Sequence, residues 1–525
     1  MQSSTPTLAR RYLYKLLANV ASVPVYLVME AILPRALGPQ MYGNYSFATN
    51  LFQQLSGFLD MGTSTCFYNA LSRRQHETGL IAFYLRVSLL VACISLGVAW
   101  LMQIPPVGGL LMPDVPGWLA PLAAVWAFLT WWGRVLRSMN DAVGATVPSE
   151  MSRTVIALLA VLALASLYWL DILNIYSLFG QQYAMLAATA LGYWIVSKNA
   201  WEARFGQDGR FSLRLDGKQA RRYAGEFFAY SHPLFVQALL TFAMLSVERW
   251  LLQWFDGSTQ QAYYALAQKV CIACFLFVSA MTPLIMREFS IAWGNKDMEG
   301  MGRLMQRFAP LLYAVAAYFS CFSAVEAGAL VSLFGGEEFA PAVLPVQIMA
   351  LYPLHQAYLQ LASSVFHAAG HTRTTRNITM LDAVYGFAAV WLLLAPEEYF
   401  GLHLGAVGLA CKTVGVQFVT VNIQLYMASR LIPFSWLRNL AHQFWCLAVL
   451  LGLAFGCHEL TLLLGLGDAT SLLRFLCSGV LYTLAAGLAL FLLPALAGLQ
   501  RAELTAFIAR LLPRRQAGTG QGPDA

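Results

Sequence analysis

Charged residues are scarce in this 525-residue chain: they make up 11% of it, against about 25% in a typical soluble domain. Apolar residues make up 58%, and the mean hydropathy is +0.59. A water-soluble chain of this length cannot hide so much apolar surface, but a bilayer can. Long polar stretches are also missing. No loop between apolar runs exceeds about 25 residues, which excludes a separate soluble catalytic domain. The short alternating segments of a membrane β-barrel are absent. So are a P-loop, a dinucleotide fingerprint and a nucleophile elbow, which argues against ATP hydrolysis and against an enzyme. What remains is an all-α polytopic membrane protein.

The apolar runs, each of about 20 residues, are long enough to cross a bilayer as helices. We count about fourteen of them: 13–33, 44–70, 79–102, 117–137, 152–173, 176–197, 224–250, 261–286, 308–334, 341–367, 377–395, 403–428, 438–462 and 470–497. With the N-terminus cytoplasmic, only Arg35, Arg249 and Arg474 fall outside, while Arg86, Lys269 and Lys412 fall within spans. Every other Lys and Arg then lies in a cytoplasmic segment or close to the cytoplasmic end of a span, as the positive-inside rule requires. Both termini are therefore expected on the cytoplasmic side. The net charge of +7 reads as cytoplasmic loops and not as nucleic-acid binding. The N-terminus is basic at Arg10, Arg11 and Lys15, then apolar without a small-residue cleavage site, so it reads as a retained first span.

One stretch organises the rest. Leu33 to Gly62 is an apolar run, a Gly/Pro turn carrying Leu37, Gly38, Pro39, Tyr42 and Gly43, then a second apolar run ending near Asp60. It predicts a hairpin of two membrane helices. The hairpin recurs weakly in the second half, where Gly38 aligns with Gly257, Tyr45 with Tyr264 and Ala48 with Ala267. The most polar segment, 198–222, separates the first six spans from the next six. Six is even, so both halves start on the same side and are expected to be parallel repeats. The expected organisation is a six-helix bundle over 1–197, a cytoplasmic linker over 198–223 and a second six-helix bundle over 224–428. Two extra helices follow over 429–500, then a cytoplasmic, partly disordered tail over 501–525.

Charges inside a bilayer cost about 2.5–3.5 kcal/mol each and mark function by default. Arg86, Lys269 and Lys412 are candidates to line a cationic cavity for an anionic, phosphate-bearing substrate. The structural alternative is an interface anchor for Arg86, and for the two lysines a buried pair with Asp60 or another span. Asp60 and Glu30 are candidates to bind a coupling ion, H+ or Na+; no other cofactor is implied. Glu248, Arg249, Glu326 and Asp382 read as interfacial, as does Glu30 if it binds no ion. Pro24 and Pro233 fall in the first helix of each half, where proline permits bending or a static kink. No metal site is expected: Cys271 and Cys274, and His367 and His371, have suggestive spacings without further ligands. The cysteines in apolar runs read as free thiols.

The run from Leu33 to Ala48, with its Leu37-Gly38 and Tyr42-Gly43 turn and Tyr45, followed by Asp60-Met61-Gly62, resembles the polysaccharide transporter family. These are the Wzx-type O-antigen flippases of the MATE-like MOP superfamily. Glu248-Arg249 and the loop from Phe334 to Pro341 are similar to the family as well. The resemblance implies a cationic inner cavity, carried onto Arg86, Lys269, Lys412 and, more weakly, Arg249. The resemblance implies a pair of six-helix bundles in the bacterial inner membrane. It implies flipping of an undecaprenyl-pyrophosphate-linked oligosaccharide, for O-antigen or lipopolysaccharide, beside a polysaccharide polymerase and ligase. Membrane lipids are the other implied partner; nucleic acid is not one. Another exporter of that superfamily (a cation or drug antiporter, or a peptidoglycan-precursor flippase) and a membrane glycan polymerase or glycosyltransferase are the alternatives.

Overall fold

The computed structural model describes residues 8–75, 77–205, 215–279, 282–466, 470–499 and 501. They form helices and turns, with no strand among them. In chain order the helices are α1 (Leu8–Asp60), α2 (Thr63–Arg73), α3 (Thr78–Leu101), α4 (Pro105–Leu111), α5 (Leu119–Ala142) and α6 (Thr146–Trp169). Then come α7 (Ile175–Phe205), α8 (Gly217–Ser231), α9 (Phe235–Ser279), α10 (Thr282–Gly294), α11 (Met298–Val325) and α12 (Ala327–Gly335). The series ends with α13 (Val343–Met349), α14 (Tyr352–Ala368), α15 (Thr372–Leu394), α16 (Gly405–Ser429), α17 (Trp436–Thr461) and α18 (Ser471–Leu492). Among the described residues helix covers most of each span expected from the sequence, with breaks at 61–62, at the turn His232–Leu234, at Glu326 and at 350–351. Among the described residues, nine helices are long and apolar enough to cross a membrane. The chain is an all-α, multi-pass membrane protein.

Packing divides the chain into two compact units. The first draws on Met1–Ala273, Val331–Met349 and Ala383–Thr413, the second on Cys274–Leu330, Ala350–Asp382 and Val414–Ala525. In the first unit α5 is central and packs on α1, α3 and α7. Its core is aromatic: Phe67 stacks on Tyr84 with ring centres 4.4 Å apart, beside buried Trp131, Trp201 and Phe227. Lipid takes the place of water on its outer face. On α6, Met151, Val155, Leu158 and Leu162 are exposed at a spacing of three and four residues, which makes one apolar stripe along the helix. In the second unit α11 packs on α14 and α17. Tyr313 stacks on Tyr358 at 5.0 Å, and Met305, Phe366 and Leu425 fill the space around them.

The first unit contains two helix hairpins built alike. Helix α1 is broken only at Gly38, with φ 68° and ψ 169°, and α9 only at Gly257, with φ 73° and ψ −171°. This is a region of backbone space that is essentially glycine's alone. The two turns touch. A Cβ on Gly43 would lie 1.7 Å from the Ser258 carbonyl oxygen, so only glycine permits the approach. Ser258 donates to Asn44, Gln253 donates to Ser258, and Thr259 donates to Gln40 at 3.0 Å. Gln40 and Thr259 are 219 residues apart, the same offset as Gly38 and Gly257. Equivalent residues of the two repeats therefore meet each other, as happens on an axis of pseudo-symmetry. Phe339, fully buried, sits edge-on to Tyr42 at 5.9 Å and to Tyr263 at 6.0 Å and covers both turns.

Candidate functional site

The embedded charges gather around the second hairpin. Lys269, on the second arm of α9, donates to Glu30 of α1 at 2.5 Å. Lys412 of α16 donates to Glu248, on the first arm of α9, and its side chain is only 7% exposed. Glu248 and Arg249 are adjacent, about 100° apart around the helix, and they take different partners. Arg249 is buried. It donates to the Gln261 side chain at 2.8 Å and to Gln268 at 2.7 Å, and its guanidinium lies 4.5 Å from the centre of the Tyr264 ring. Gln261 donates back to the Arg249 carbonyl. Tyr264 shares a hydrogen bond of 3.0 Å with Thr413, the neighbour of Lys412.

The electrostatics follow from this list. Each lysine has a carboxylate against it. Arg249 has two amide oxygens and an aromatic face but, among the described residues, no carboxylate within ion-pair distance. Five charged groups thus leave one net positive charge, and Arg249 carries it. Neutral amides orient a guanidinium without cancelling it, which is what a site needs if an anion is to complete the pairing.

Of the other sequence candidates, Arg86 lies exposed on α3, with no ion pair among the described residues. Asp60 is held by neutral donors. It accepts from the Ser64 hydroxyl at 2.8 Å, Trp131 Nε1 at 3.1 Å, the Ser64 backbone N–H at 3.2 Å, Thr63 at 3.3 Å and Tyr84 at 3.5 Å. It therefore ends α1 and ties down the first turn of α2. The backbone is helical at Pro24, whose side chain lies outside the described residues. Pro233 sits in a 3₁₀ turn, His232–Leu234, that separates α8 from α9. Cys271 is buried; the Cys274 side chain lies outside the described residues. The tail beyond 501 and linker positions 206–214 also lie outside them.

Sequence reasoning passed over Glu248 as interfacial and did not single out the glutamines. A signal was present. Gln261, Tyr264 and Gln268 recur at intervals of three and four in an apolar helix, which is one polar face. The same unit also holds a cavity of about 340 Å³, lined by Gln54 and Phe58 from the end of α1 and by Gln237, Thr241 and Phe242 from the start of α9. Phe58 and Phe242 lie 5.4 Å apart. Aromatic faces with a few amides and a hydroxyl suit a polar ligand with apolar faces.

The sequence model described as "Polysaccharide biosynthesis protein" matches residues 8–285, more than half of the chain. The chain belongs to the polysaccharide biosynthesis protein family. The matched segment includes Glu30, Asp60, Arg86, Glu248, Arg249 and Lys269; Lys412 lies beyond it. Among solved structures, this family member is similar to the lipid II flippase MurJ in an inward closed conformation. The TM-score is 0.63 at 10% identity, covering 91% of this chain and 98% of that one. It is also similar to a mutant of the Vibrio cholerae MATE transporter VcmN, with a TM-score of 0.50 at 17% identity, covering 82% and 98%. At such identities the likeness is one of fold. Comparison with curated proteins finds no match.

Proposed function

We propose that this protein is a flippase that carries a lipid-linked oligosaccharide, built on undecaprenyl pyrophosphate, across the bacterial inner membrane. The oligosaccharide would be a repeat unit of O-antigen or another surface polysaccharide, and both termini would be cytoplasmic. One observation carries the proposal: Arg249 is buried in a membrane-spanning unit, fully oriented and without a counter-charge among the described residues. A buried cation costs several kcal/mol. A pyrophosphate head group would offset that cost at the moment of transport, while the two lysine–carboxylate pairs hold the helices around it. Family membership and the MurJ-like fold support the same reading. The cavity of amides and aromatic rings suits the sugar portion.

Coupling to H+ or Na+ belongs to this proposal, with Glu30 and Asp60 as its candidates. Glu30 is paired with Lys269 in this structure, and an acid whose pair opens at another stage of the cycle, after the substrate has left, can bind a proton or a sodium ion. A polymerase and a ligase acting on the flipped product are the implied partners.

The test is deletion of the gene followed by measurement of surface polysaccharide and of the lipid-linked oligosaccharide in each leaflet. Loss of surface polysaccharide with intact precursor held in the inner leaflet is the expected outcome. Unchanged polysaccharide with loss of cell-wall synthesis would instead point to a peptidoglycan precursor, the reading that the fold likeness to the lipid II flippase favours. Sugar transfer by the purified protein would replace both with an enzyme.

A further inference from the structure

Helix α8 has two faces of different chemistry. Tyr223, Phe227 and Ser231, four residues apart, are buried. Phe227 packs on Phe83 at 5.2 Å and on Tyr84 at 5.8 Å. Polar clasps hold the same side: Tyr223 donates to Glu77 at 2.9 Å, Arg222 to Glu77 at 3.1 Å, and Arg74 to Glu226 at 2.5 Å. The hydrogen bond to Glu226 raises the pKa of Arg74 above its ordinary value. Helix α8 is therefore fixed against α2 and α3.

The opposite side of the helix is less engaged: of its cations only Arg222, bonded to Glu77 and lying over the Tyr223 ring, has partners among the described residues. Lys218, Arg221 and Arg222 stand at i, i+3 and i+4, so their side chains emerge from one patch about a helical turn long. Lys218 and Arg221 are exposed and make no ion pair among the described residues; Arg222 is 55% exposed despite its bond to Glu77. Further along, Phe228 is 68% exposed and Tyr230 39% exposed. This helix is too polar to cross a bilayer and leads straight into one that does, through the turn at Pro233. It must lie where the hydrocarbon ends. A basic turn followed by exposed aromatic rings is the composition of a helix seated at the head-group level.

We propose that the exposed face of α8 is a docking site for anionic phospholipid, in which Lys218, Arg221 and Arg222 bind the phosphate and Phe228 inserts among the acyl chains. The occupant is the bilayer's own lipid and not a soluble phosphate compound, because the aromatic residues have no role toward a soluble anion. Charge complementarity explains why Lys218 and Arg221 are grouped on a surface that the core does not use, with Arg222, clasped to Glu77, at its edge. The site is separate from the Arg249 cluster and does not depend on what the protein transports.

Two measurements on the full-length protein test it. In the first, p-benzoylphenylalanine replaces Phe228 and is photoactivated in native membranes; an adduct with phospholipid is expected. An adduct with another protein would reassign the face to a protein partner, and absence of any adduct would remove the insertion. In the second, protein purified in detergent is titrated with phosphatidylglycerol or phosphatidylcholine and bound lipid is read by native mass spectrometry. K218Q/R221Q should weaken phosphatidylglycerol binding roughly thirtyfold, the effect of removing two basic residues near a surface. K218E/R221E, which reverses both charges, should give a larger loss, and R373E/R376E, at another basic site, none. Equal binding of the two lipids by the native protein, or equal loss in all three variants, would overturn the proposal.

Discussion

A buried ion pair stabilises little when intact and costs much when half of it is removed. Lys412 is the deeper of the two lysines around α9, but both carboxylates are largely buried, Glu248 at 18% and Glu30 at 10% exposed. Lys412→Ala and Lys269→Ala each leave a carboxylate uncompensated, at a comparable cost of about 3–5 kcal/mol. Thermal unfolding in one detergent checks both. Replacing both partners, Lys412→Met with Glu248→Gln, should recover most of the lost stability; no recovery would show that Lys412 acts through packing and not charge. Arg249 calls for a different substitution. Lysine keeps its charge but cannot reach both Gln261 and Gln268 while covering Tyr264. Arg249→Lys should fold normally and lower transport of a lipid-linked oligosaccharide in proteoliposomes about tenfold, the value of one charge-assisted hydrogen bond. Undiminished transport would separate Arg249 from the substrate. The cost of burial explains what could be read in advance here. A lysine deep in an apolar run stands out in any sequence, so Lys269 and Lys412 were visible as candidates. Arg249, near a span end, read as interfacial and was added only by the family resemblance. The partners of the two lysines were not visible, because Glu30 and Glu248 sit near span ends where a carboxylate is unremarkable, and pairing across 239 or 164 residues leaves no local mark.

The two broken helices carry the prediction that belongs to elements. Gly38, Gly257 and Gly43 are all turn glycines, but for different reasons. At Gly257 the demand is only the positive φ, since a Cβ there would meet open space. At Gly43 the demand is only room, since the Ser258 backbone occupies the place of a Cβ. Gly257→Ala therefore costs local strain of about 1–3 kcal/mol and leaves the contact between the turns intact. Gly43→Ala must push the turns apart and break the hydrogen bonds of Ser258 and Thr259. Proteolysis at these turns should be little changed by the first and sharply increased by the second; equal sensitivity would mean that the turns do not bear on each other. Most of the element plan was legible in the sequence, because apolar length and the distribution of Lys and Arg decide which segments cross. The break at Gly257 was legible only by alignment with Gly38. Helix α8 was harder to see. Its charges merge with the polar linker before it, and its buried face of Tyr223 and Phe227 merges with the span that follows. Only the turn at Pro233 separates the two.

At the scale of the molecule, a carrier needs one end of the substrate path closed while the other is open. Within the first unit the two repeats meet at their turns and leave a cavity where α1 ends and α9 begins. The closed end is therefore the turn end, held by Gly43 against Ser258, by Asn44, and by Gln40 with Thr259. If these turns part during each cycle, then tying them together must stop transport without harming the fold. Asn44→Cys with Ser258→Cys places two thiols where a short bond already exists. The pair joined by a short thiol-specific crosslinker should insert and melt as the native protein does, and should bind a lipid-linked oligosaccharide. Its transport in proteoliposomes should fall to the background of empty vesicles and return when the crosslink is reduced. Each single cysteine treated alike should transport normally, since neither can join the turns. Crosslinked protein that still transports would mean that the contact between the repeats is a static brace. The moving end would then have to be sought around Phe58 and Phe242, whose rings pack 5.4 Å apart beside the cavity.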